Sequence, residues 1–413
     1  RANRMIVRRK PCWRLALWAG DTRYFYDAAC TWRRLGRYGR STDRTRWTFS
    51  ANVSPLGLPR GLQRPSPPRF ATADRYPDPP LPRFAGKAGS ARNRARSAYP
   101  VRQRCSRPDL PAGVGGKAPH RPAARPTFAE YAAALETAGC TIRRHFLRES
   151  EDFAVTEAFI SAVDEDTDMV FLCQPNNPTG QLTPLALVEA LLHRCEACGA
   201  LLVVDECFLD FLPESEALSA KKLLASPNLI ILKAFTKLYG MAGVRLGYCL
   251  GSNIALLDKM QSAGQPWAVS SLAQAAGLAA LDETAYVARV QELIAEQRPI
   301  LRDGLRALGL RVLDGSANYL LFQAPETLGD ALRQRGIVLR GCGNYPGLDS
   351  SWYRTAVRTA PENQQLLKTF RRCLHEPGKM HYGAGHDERG GQKPAVHRAV
   401  PYFCTGRLPG SPL

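Results

Sequence analysis

Three polar side chains follow apolar runs of the sequence, and their types suit covalent and ionic chemistry. They are Asn177 in CQPNNPTG (173–180), Asp205 in VVDECF (203–208) and Lys237 in KAFTKLYGMAGVRLGY (233–248). A lysine amine is a nucleophile for an aldehyde. An aspartate that ends a buried strand needs a cationic partner, because an isolated buried carboxylate is costly. An asparagine amide in a Pro/Gly turn can donate a hydrogen bond to a ligand.

Each of these residues has an ordinary interpretation when it is taken alone. Asp205 could be a strand-end acid, Asn177 a turn asparagine and Lys237 a solvated surface lysine. Thr236 and Arg245, close to Lys237 in the chain, add a hydroxyl and a guanidinium that can hold a phosphate. The three motifs in this order and spacing therefore predict a site for pyridoxal 5'-phosphate (PLP), an electron-sink cofactor.

The elements that must position these residues alternate between short apolar runs and helical patterns from residue 126 onward. MVFLC (169–173), ALLVVDE (200–206) and NLIILKAF (228–235) are typical of buried strands. Short apolar runs with helices between them predict an α/β fold with a parallel sheet covered on both faces. Long helical patterns over residues 267–310, followed by LRVLDGSANYLLFQA and SWYRTAVRT, predict a smaller α+β domain.

These motifs resemble the fold-type I PLP-dependent enzymes of the class I/II aminotransferase superfamily, in the branch of the histidinol-phosphate aminotransferases and the threonine-phosphate decarboxylases of cobalamin biosynthesis. The resemblance covers FSANVSPLGLP (49–59), RYPDP (75–79) and nearly all of 125–373. It implies a large domain with a mostly parallel seven-stranded sheet and a smaller α+β C-terminal domain. GQPWAVSSLAQAAGLAAL (264–281), CGNYPGLDSSWYRTAVRT (342–359) and Phe208, where the aminotransferases carry a tyrosine, favour the decarboxylases.

The resemblance also implies a role for individual residues. Lys237 would be the catalytic lysine that binds the cofactor covalently, Asp205 would pair with the pyridine nitrogen, and Asn177 would contact the ring hydroxyl. Thr236 and Arg245 would hold the cofactor phosphate, Phe128 would stack on the ring, and Tyr76 would reach the phosphate of the neighbouring subunit of a homodimer. Arg354 would clamp the substrate carboxylate and Arg340 would be a candidate for the substrate phosphate.

The implied reaction is decarboxylation of a small phosphorylated amino acid, L-threonine O-3-phosphate, to (R)-1-aminopropan-2-yl phosphate and CO2. The first alternative is transamination of histidinol phosphate. The second alternative, of another class, is an inactive remnant or a basic nucleic-acid-binding protein.

The charge of the chain is unevenly distributed. Residues 1–125 contain 28 Lys and Arg against 6 Asp and no Glu, a net charge of +22, whereas residues 126–413 have a net charge of −3. A basic, Pro- and Arg-rich half is typical of a nucleic-acid-binding arm. The alternative that we favour is that much of this half is translated out of frame, with no nucleic-acid partner.

The out-of-frame hypothesis rests on a departure from the family. The related enzymes have a glycine-rich phosphate-binding turn near residue 105, where this chain has VRQRCSRPDL. Back-translation and a shift of one nucleotide permit YGNGAADLI there. We therefore predict an out-of-frame, poorly ordered segment (1–47), an N-terminal arm (48–79, out of frame over about 60–74) and a frameshifted part of the large domain (80–124). The PLP-binding large domain (125–265), the small C-terminal domain (266–375) and a non-native tail (376–413) would follow, and the chain as written could be inactive.

Other classes of site and location find little support in the sequence. The twelve cysteines form no framework, and the single CxxC of Cys195 and Cys198 lacks partners at zinc spacing, so we expect reduced thiols and no metal. No apolar run reaches the length of a membrane span, and residues 1–20 carry charges throughout, unlike a signal peptide. These observations predict a cytoplasmic protein without a membrane partner.

Overall fold

The computed structural model describes residues 47–63, 77, 98–102, 120–264 and 267–375, with the backbone alone for 98–102 and 120–124. Tyr76, the tail 376–413 and most of the segments predicted to be out of frame lie outside the described residues. The expectations for them, and the predicted domain boundaries, stay predictions.

A seven-stranded sheet forms the centre of the fold. After the two-residue strand β1 (Trp47–Thr48), its strands are β2 (Ala98–Arg102), β3 (His120–Arg125), β4 (Thr141–Phe146), β5 (Met169–Cys173), β6 (Leu201–Asp205), β7 (Leu229–Ala234) and β8 (Leu246–Gly251). Their order across the sheet is β2-β8-β7-β6-β5-β3-β4. Pairing is parallel from β4 to β7, whereas β8 runs antiparallel to both β7 and β2. The predicted mostly parallel seven-stranded sheet is confirmed.

Apolar side chains on both faces explain why the central strands are buried. In β5, Val170 and Leu172 belong to one apolar cluster, whereas Met169, Phe171 and Cys173 belong to a second. Successive side chains of a strand point to opposite faces, so the two clusters are the two covered faces of the sheet. A strand buried in this way is a continuous apolar run, as the sequence predicted.

Helices cover this sheet and connect its strands. They are α1 (Arg60–Gln63), α2 (Glu130–Thr137), α3 (Glu157–Ser161), α4 (Leu185–Cys198), α5 (Ser215–Leu218), α6 (Phe235–Leu238) and α7 (Ile254–Ala263), with 3-10 turns at Glu149–Glu151, Leu209–Phe211 and Ala220–Leu223. Helix α4 ends at Gly199, whose φ of +72° lies in the left-handed region that a residue without Cβ adopts readily. The segment KKLLAS (221–226), between β6 and β7, begins within the third of these 3-10 turns.

A second, smaller layer follows in the chain. It contains α8 (Ser271–Ala280), α9 (Thr284–Arg306), β9 (Arg311–Val312), β10 (Tyr319–Gln323), α10 (Leu328–Gln334), β11 (Ile337–Val338), β12 (Arg340–Gly341), β13 (Trp352–Ala356) and α11 (Ala360–His375). Four of these strands form an antiparallel sheet in the order β12-β13-β10-β9. The N-terminal arm joins this layer, because β1 pairs with β11 in parallel.

The described residues contain no helix that is long and apolar enough to cross a membrane. Within the same residues no group of three His, Cys, Asp or Glu side chains is arranged to hold a metal ion. Cys195 and Cys198 on α4 are both free thiols.

Candidate active site

The three residues singled out in the sequence lie at one edge of the central sheet. Asp205 is the last residue of β6 and pairs with Cys173, the last residue of β5. The turn that carries Asn177 follows β5 directly, and α6, with Lys237, follows β7. Since the carboxyl ends of parallel strands meet at one edge, where ligands of open α/β sheets bind, this edge is the candidate site.

Asp205 is a buried carboxylate with a hydrogen-bond donor on each oxygen. Asp205 is 6% exposed. The backbone N–H of Cys207 donates to Oδ1 at 3.0 Å, and the hydroxyl of Tyr131 donates to Oδ2 at 2.6 Å. No ion pair joins Asp205 to the part of the chain that the structure describes. A buried carboxylate in this state suits a cationic ligand group.

Tyr131 is the residue that our sequence analysis missed. It is fully buried, stacks on Phe171 with ring centroids 4.9 Å apart, and meets the ring of Phe128 edge-on at 5.5 Å. Burial and the negative charge of Asp205 raise the pKa of Tyr131 well above its usual value. The phenol therefore stays protonated and donates. The sequence signal that could have identified Tyr131 is its position three residues after Phe128, at helical spacing from a predicted site residue.

Asn177 is bound to the predicted substrate-carboxylate residue. Arg354 donates a short hydrogen bond from Nη1 to Asn177 Oδ1 and a second from Nη2 to the backbone oxygen of Ser50 at 3.1 Å. In the amide orientation that satisfies both groups, the side-chain oxygen of Asn52 accepts from Arg354 Nε at 3.0 Å. Asn177 and Arg354 are only 5% and 7% exposed. The arm thus holds the guanidinium beside Asn177.

Lys237 extends from the four-residue helix α6, with Thr236 directly before it. Its Nζ lies 5.4 Å from the centroid of the Phe208 ring, and Phe208 meets the Tyr319 ring edge-on at 5.1 Å. The backbone N–H of Ser54 donates to the backbone oxygen of Lys237 at 2.8 Å. The lysine therefore lies beside an aromatic ring where the aminotransferases would offer a phenol.

Arg245 precedes β8 at the same edge of the sheet, because Ala234 at the end of β7 pairs with Gly247. Its φ is +63°, in the left-handed region that costs energy for a residue with a Cβ. Such backbone strain concentrates at functional sites. The prediction that Thr236 and Arg245 hold a phosphate stays a prediction.

Arg340 lies next to Arg354 in the small sheet. The two arginines are direct partners across β12 and β13, so both side chains project from one face. Arg340 is half-buried, donates from Nη2 to Asn344 Oδ1 at 3.2 Å and lies over the Tyr345 ring. Two arginines thus lie on the same face of the small sheet.

A buried ion pair lies immediately behind the site. Lys233 Nζ is 2.8 Å from Glu206 Oε2 and 3.0 Å from Asp210 Oδ1. Glu206 also accepts hydrogen bonds from the Ser219 hydroxyl and the Ala220 N–H, each at 2.7 Å. Glu206 follows Asp205 in the chain, so this pair fixes the strand end that carries the carboxylate.

The donor set fits PLP. A buried carboxylate that has no cationic partner among the described side chains suits the pyridine nitrogen, the Asn177 amide suits the ring hydroxyl, and the Phe128 ring lies at the same strand edge. Lys237 supplies the amine. Tyr76 lies outside the described residues, so its predicted phosphate contact stays a prediction. The segment near residue 105, where we predict that the glycine-rich turn is missing, also lies outside them.

Comparison with known proteins also indicates a PLP-dependent family. Residues 123–370 match the family described as aminotransferase class I and II. The chain is 35% identical over 331 residues to a threonine-phosphate decarboxylase of Salmonella typhimurium, covering 79% of this chain and 90% of that protein. It is 34% identical over 254 residues to a histidinol-phosphate aminotransferase of Nitratidesulfovibrio vulgaris, covering 60% of this chain and 67% of that protein.

Among solved structures, a histidinol-phosphate aminotransferase from Clostridium acetobutylicum has the same fold, with a TM-score of 0.73 and 24% identity over 79% of this chain and 99% of that one. The predicted family and cofactor are confirmed: the chain belongs to the class I and II aminotransferase family, whose fold-type I members use PLP.

Proposed function

We propose that this protein decarboxylates L-threonine O-3-phosphate to (R)-1-aminopropan-2-yl phosphate. In this reaction the bond between Cα and the carboxylate breaks, CO2 leaves, and a proton takes its place on Cα. No amino-group acceptor is consumed, which separates the reaction from transamination.

The observation that carries the proposal is the pairing of Arg340 with Arg354 across β12 and β13. Arginine binds carboxylates and phosphates through two parallel hydrogen bonds. Threonine phosphate carries one group of each kind. Two arginines on one face of the small sheet can therefore bind both ends of this substrate, with Arg354 on the carboxylate and Arg340 on the phosphate.

The remaining residues orient the substrate and move one proton. Arg354 is held by Asn177 and the arm, so it can fix the direction of the carboxylate, and that direction selects the bond at Cα that breaks. When bound, PLP supplies the electron sink for this bond cleavage. The Lys237 amine would deliver the proton to Cα. We also propose that the enzyme is a homodimer to which Tyr76 contributes across the interface.

Two further observations support decarboxylation. The Salmonella typhimurium relative named a threonine-phosphate decarboxylase aligns over 90% of its length, against 67% for the Nitratidesulfovibrio vulgaris aminotransferase. Phe208 also replaces the phenol donor expected in the aminotransferases. Histidinol-phosphate transamination is the second candidate, favoured by the 34% identity to that aminotransferase.

The deciding assay measures CO2 release from threonine phosphate without 2-oxoglutarate. We expect release by the wild-type chain or by a frame-corrected version assayed beside it. Arg340→Gln should raise KM for threonine phosphate and leave the decarboxylation of unphosphorylated threonine unchanged. Amino transfer from histidinol phosphate without CO2 release would refute the proposal and support the second candidate.

Covalent attachment of the cofactor is tested separately. Incubation with PLP, borohydride reduction and peptide mapping should label Lys237. Lys222, whose side chain donates to a backbone oxygen at an exposed position, is an internal control that should stay unlabelled. If both forms of the chain leave Lys237 unlabelled, the PLP-dependent proposal fails and the inactive remnant is supported.

A further inference from the structure

We propose that Tyr131 is a positioning residue that fixes the direction and the hydrogen bonding of the Asp205 carboxylate toward the pyridine nitrogen of the cofactor. The inference rests on the cofactor and does not depend on which substrate the enzyme uses. It concerns two buried residues that touch each other, one on α2 and one at the end of β6.

The first argument is the number of donors on Asp205. Each carboxylate oxygen receives one protein donor, Oδ1 from the N–H of Cys207 and Oδ2 from the hydroxyl of Tyr131. Two donors on opposite oxygens prevent rotation of the carboxylate about its terminal torsion, which is otherwise soft. The lone pairs that remain can then point in one direction only.

The second argument is the rigidity of the donor itself. Tyr131 is 0% exposed, and its ring is held by the stack on Phe171, with an interplanar angle of 20°, and by the edge of Phe128, at 84°. The hydroxyl therefore cannot follow Asp205 if the carboxylate moves. Phe128, the residue predicted to stack on the cofactor ring, is in edge contact with Tyr131. The position of this donor is therefore coupled to that of Phe128.

The third argument is chemical. A hydrogen bond from a phenol to an ionised carboxylate is charge-assisted and strong. When Tyr131 donates to Asp205, it supports the anion that faces a protonated pyridine nitrogen. The protonated ring is the form that accepts electrons well, so the phenol maintains the reactive form of the cofactor without touching it.

The test uses Tyr131→Phe, which keeps the ring and removes the hydroxyl alone. A hydrogen bond to a charged group corresponds to roughly a tenfold to hundredfold change in an equilibrium constant. We therefore expect the Kd of PLP to be about tenfold or more higher in Tyr131→Phe than in the wild type. We also expect the nitrogen resonance of PLP labelled with 15N in the ring to move toward that of unprotonated pyridine.

The matched control is Tyr353→Phe. Tyr353 is 4% exposed and its hydroxyl donates to the backbone oxygen of Glu326 at 2.6 Å, the same length as in the Tyr131 bond. Its side chain lies on the opposite face of β13 from Arg354. This variant should lose similar stability and leave the 15N resonance and the PLP affinity unchanged.

The outcomes separate this inference from the proposed function. Wild-type resonance and wild-type affinity in Tyr131→Phe overturn the inference and leave the substrate proposal intact. A shifted resonance in an enzyme that does not release CO2 from threonine phosphate supports the inference and overturns the proposed function. A wild-type chain that binds no PLP in either reading frame overturns both.

If Tyr131→Phe does not fold, neutron diffraction from crystals of the wild-type holoprotein gives the answer directly. A deuteron on Tyr131 Oη directed at Asp205 Oδ2, together with a deuterated ring nitrogen, supports the inference. A hydroxyl that is turned away from Asp205 overturns it.

Discussion

Replacement of Lys233 by methionine should destabilise the protein by about 3–5 kcal/mol. Lys233 and Glu206 are 1% and 0% exposed, with Nζ and Oε2 2.8 Å apart. The substitution leaves Glu206 buried with its two remaining donors, the Ser219 hydroxyl and the Ala220 N–H, but without the cation. The cost is that of an uncompensated buried charge.

The magnitude follows from the geometry. Two unit charges 2.8 Å apart attract each other by about 6 kcal/mol at an effective dielectric constant near 20. The desolvation of both ions offsets part of this attraction in the folded state. In the single variant the attraction is lost and the desolvation cost of Glu206 is retained, but the desolvation cost of Lys233 is relieved. The net loss therefore stays below the full Coulomb value, at about 3–5 kcal/mol.

Urea denaturation followed by tryptophan fluorescence measures the effect, and Lys221→Met is the matched control. Lys221 pairs with Glu216 at 2.5 Å, but the Glu216 side chain is 64% exposed. Pairs with an exposed member contribute about 0–1 kcal/mol, so this variant should stay close to the wild type. The double variant Lys233→Met/Glu206→Leu should recover part of the loss, because the fully buried carboxylate is then removed together with the lysine. Asp210, the second acid beside Lys233, remains, with a side chain that is 14% exposed.

Equal losses in Lys233→Met and Lys221→Met would refute the reasoning. Both lysines are buried, and only the carboxylate partner differs in burial, so burial of the partner would then not decide the cost. A double variant that is less stable than Lys233→Met alone would also refute it. In that case the pair would act through the shape of its side chains and not through its charges.

Three other predictions concern single side chains. Arg125 is 1% exposed, its Nε has no partner among the described residues, and burial lowers its pKa to about 10. Arg125→Leu should therefore raise the free energy of unfolding in urea by about 1–2 kcal/mol. The control Arg148→Leu, at a side chain that is 72% exposed, should leave that free energy nearly unchanged. Phe208→Tyr should shift the ratio of CO2 release to amino-group transfer toward transfer by roughly tenfold, and an unchanged ratio would show that the phenol is not the determinant. Because the pKa of Tyr131 is raised, the folded chain keeps a proton that the unfolded chain loses at high pH. The free energy of unfolding should therefore fall as the pH rises above about 10. Tyr131→Phe should reduce this fall by up to about 1.4 kcal/mol per pH unit.

The sequence predicted the parts of the site that depend on local pattern. The apolar runs that become β5, β6 and β7 are continuous because both faces of the sheet are covered. Asp205, Asn177 and Lys237 follow these runs, so their meeting at one edge could be inferred from the direction of parallel strands alone.

The parts that depend on packing could not be predicted. Tyr131 has the spacing of a core residue on the buried face of α2, and only the fold brings its hydroxyl to Asp205. The adjacency of Arg340 and Arg354 depends on the register of β12 with β13, which the thirteen residues between them do not specify. The ion pair of Lys233 with Glu206 likewise depends on the register of two neighbouring strands, β7 and β6.

The hypothesis of an out-of-frame segment remains a prediction, with one local feature in its favour. Pro122 occupies β3, which lies between β5 and β4, although proline cannot donate to a strand on either side and is rare inside a sheet. Resequencing the gene decides the matter, because clean coverage in the present frame would contradict a frameshift.

The contact between Arg354 and Ser50 joins positions that are 304 residues apart in the chain. During synthesis, the arm leaves the ribosome long before β13 exists to receive it. The guanidinium therefore gains its support only after β13 has been synthesised, and contacts of such long sequence separation form slowly. A chain terminated before β13 would retain the amine of Lys237 and lack the guanidinium that we propose to orient a carboxylate.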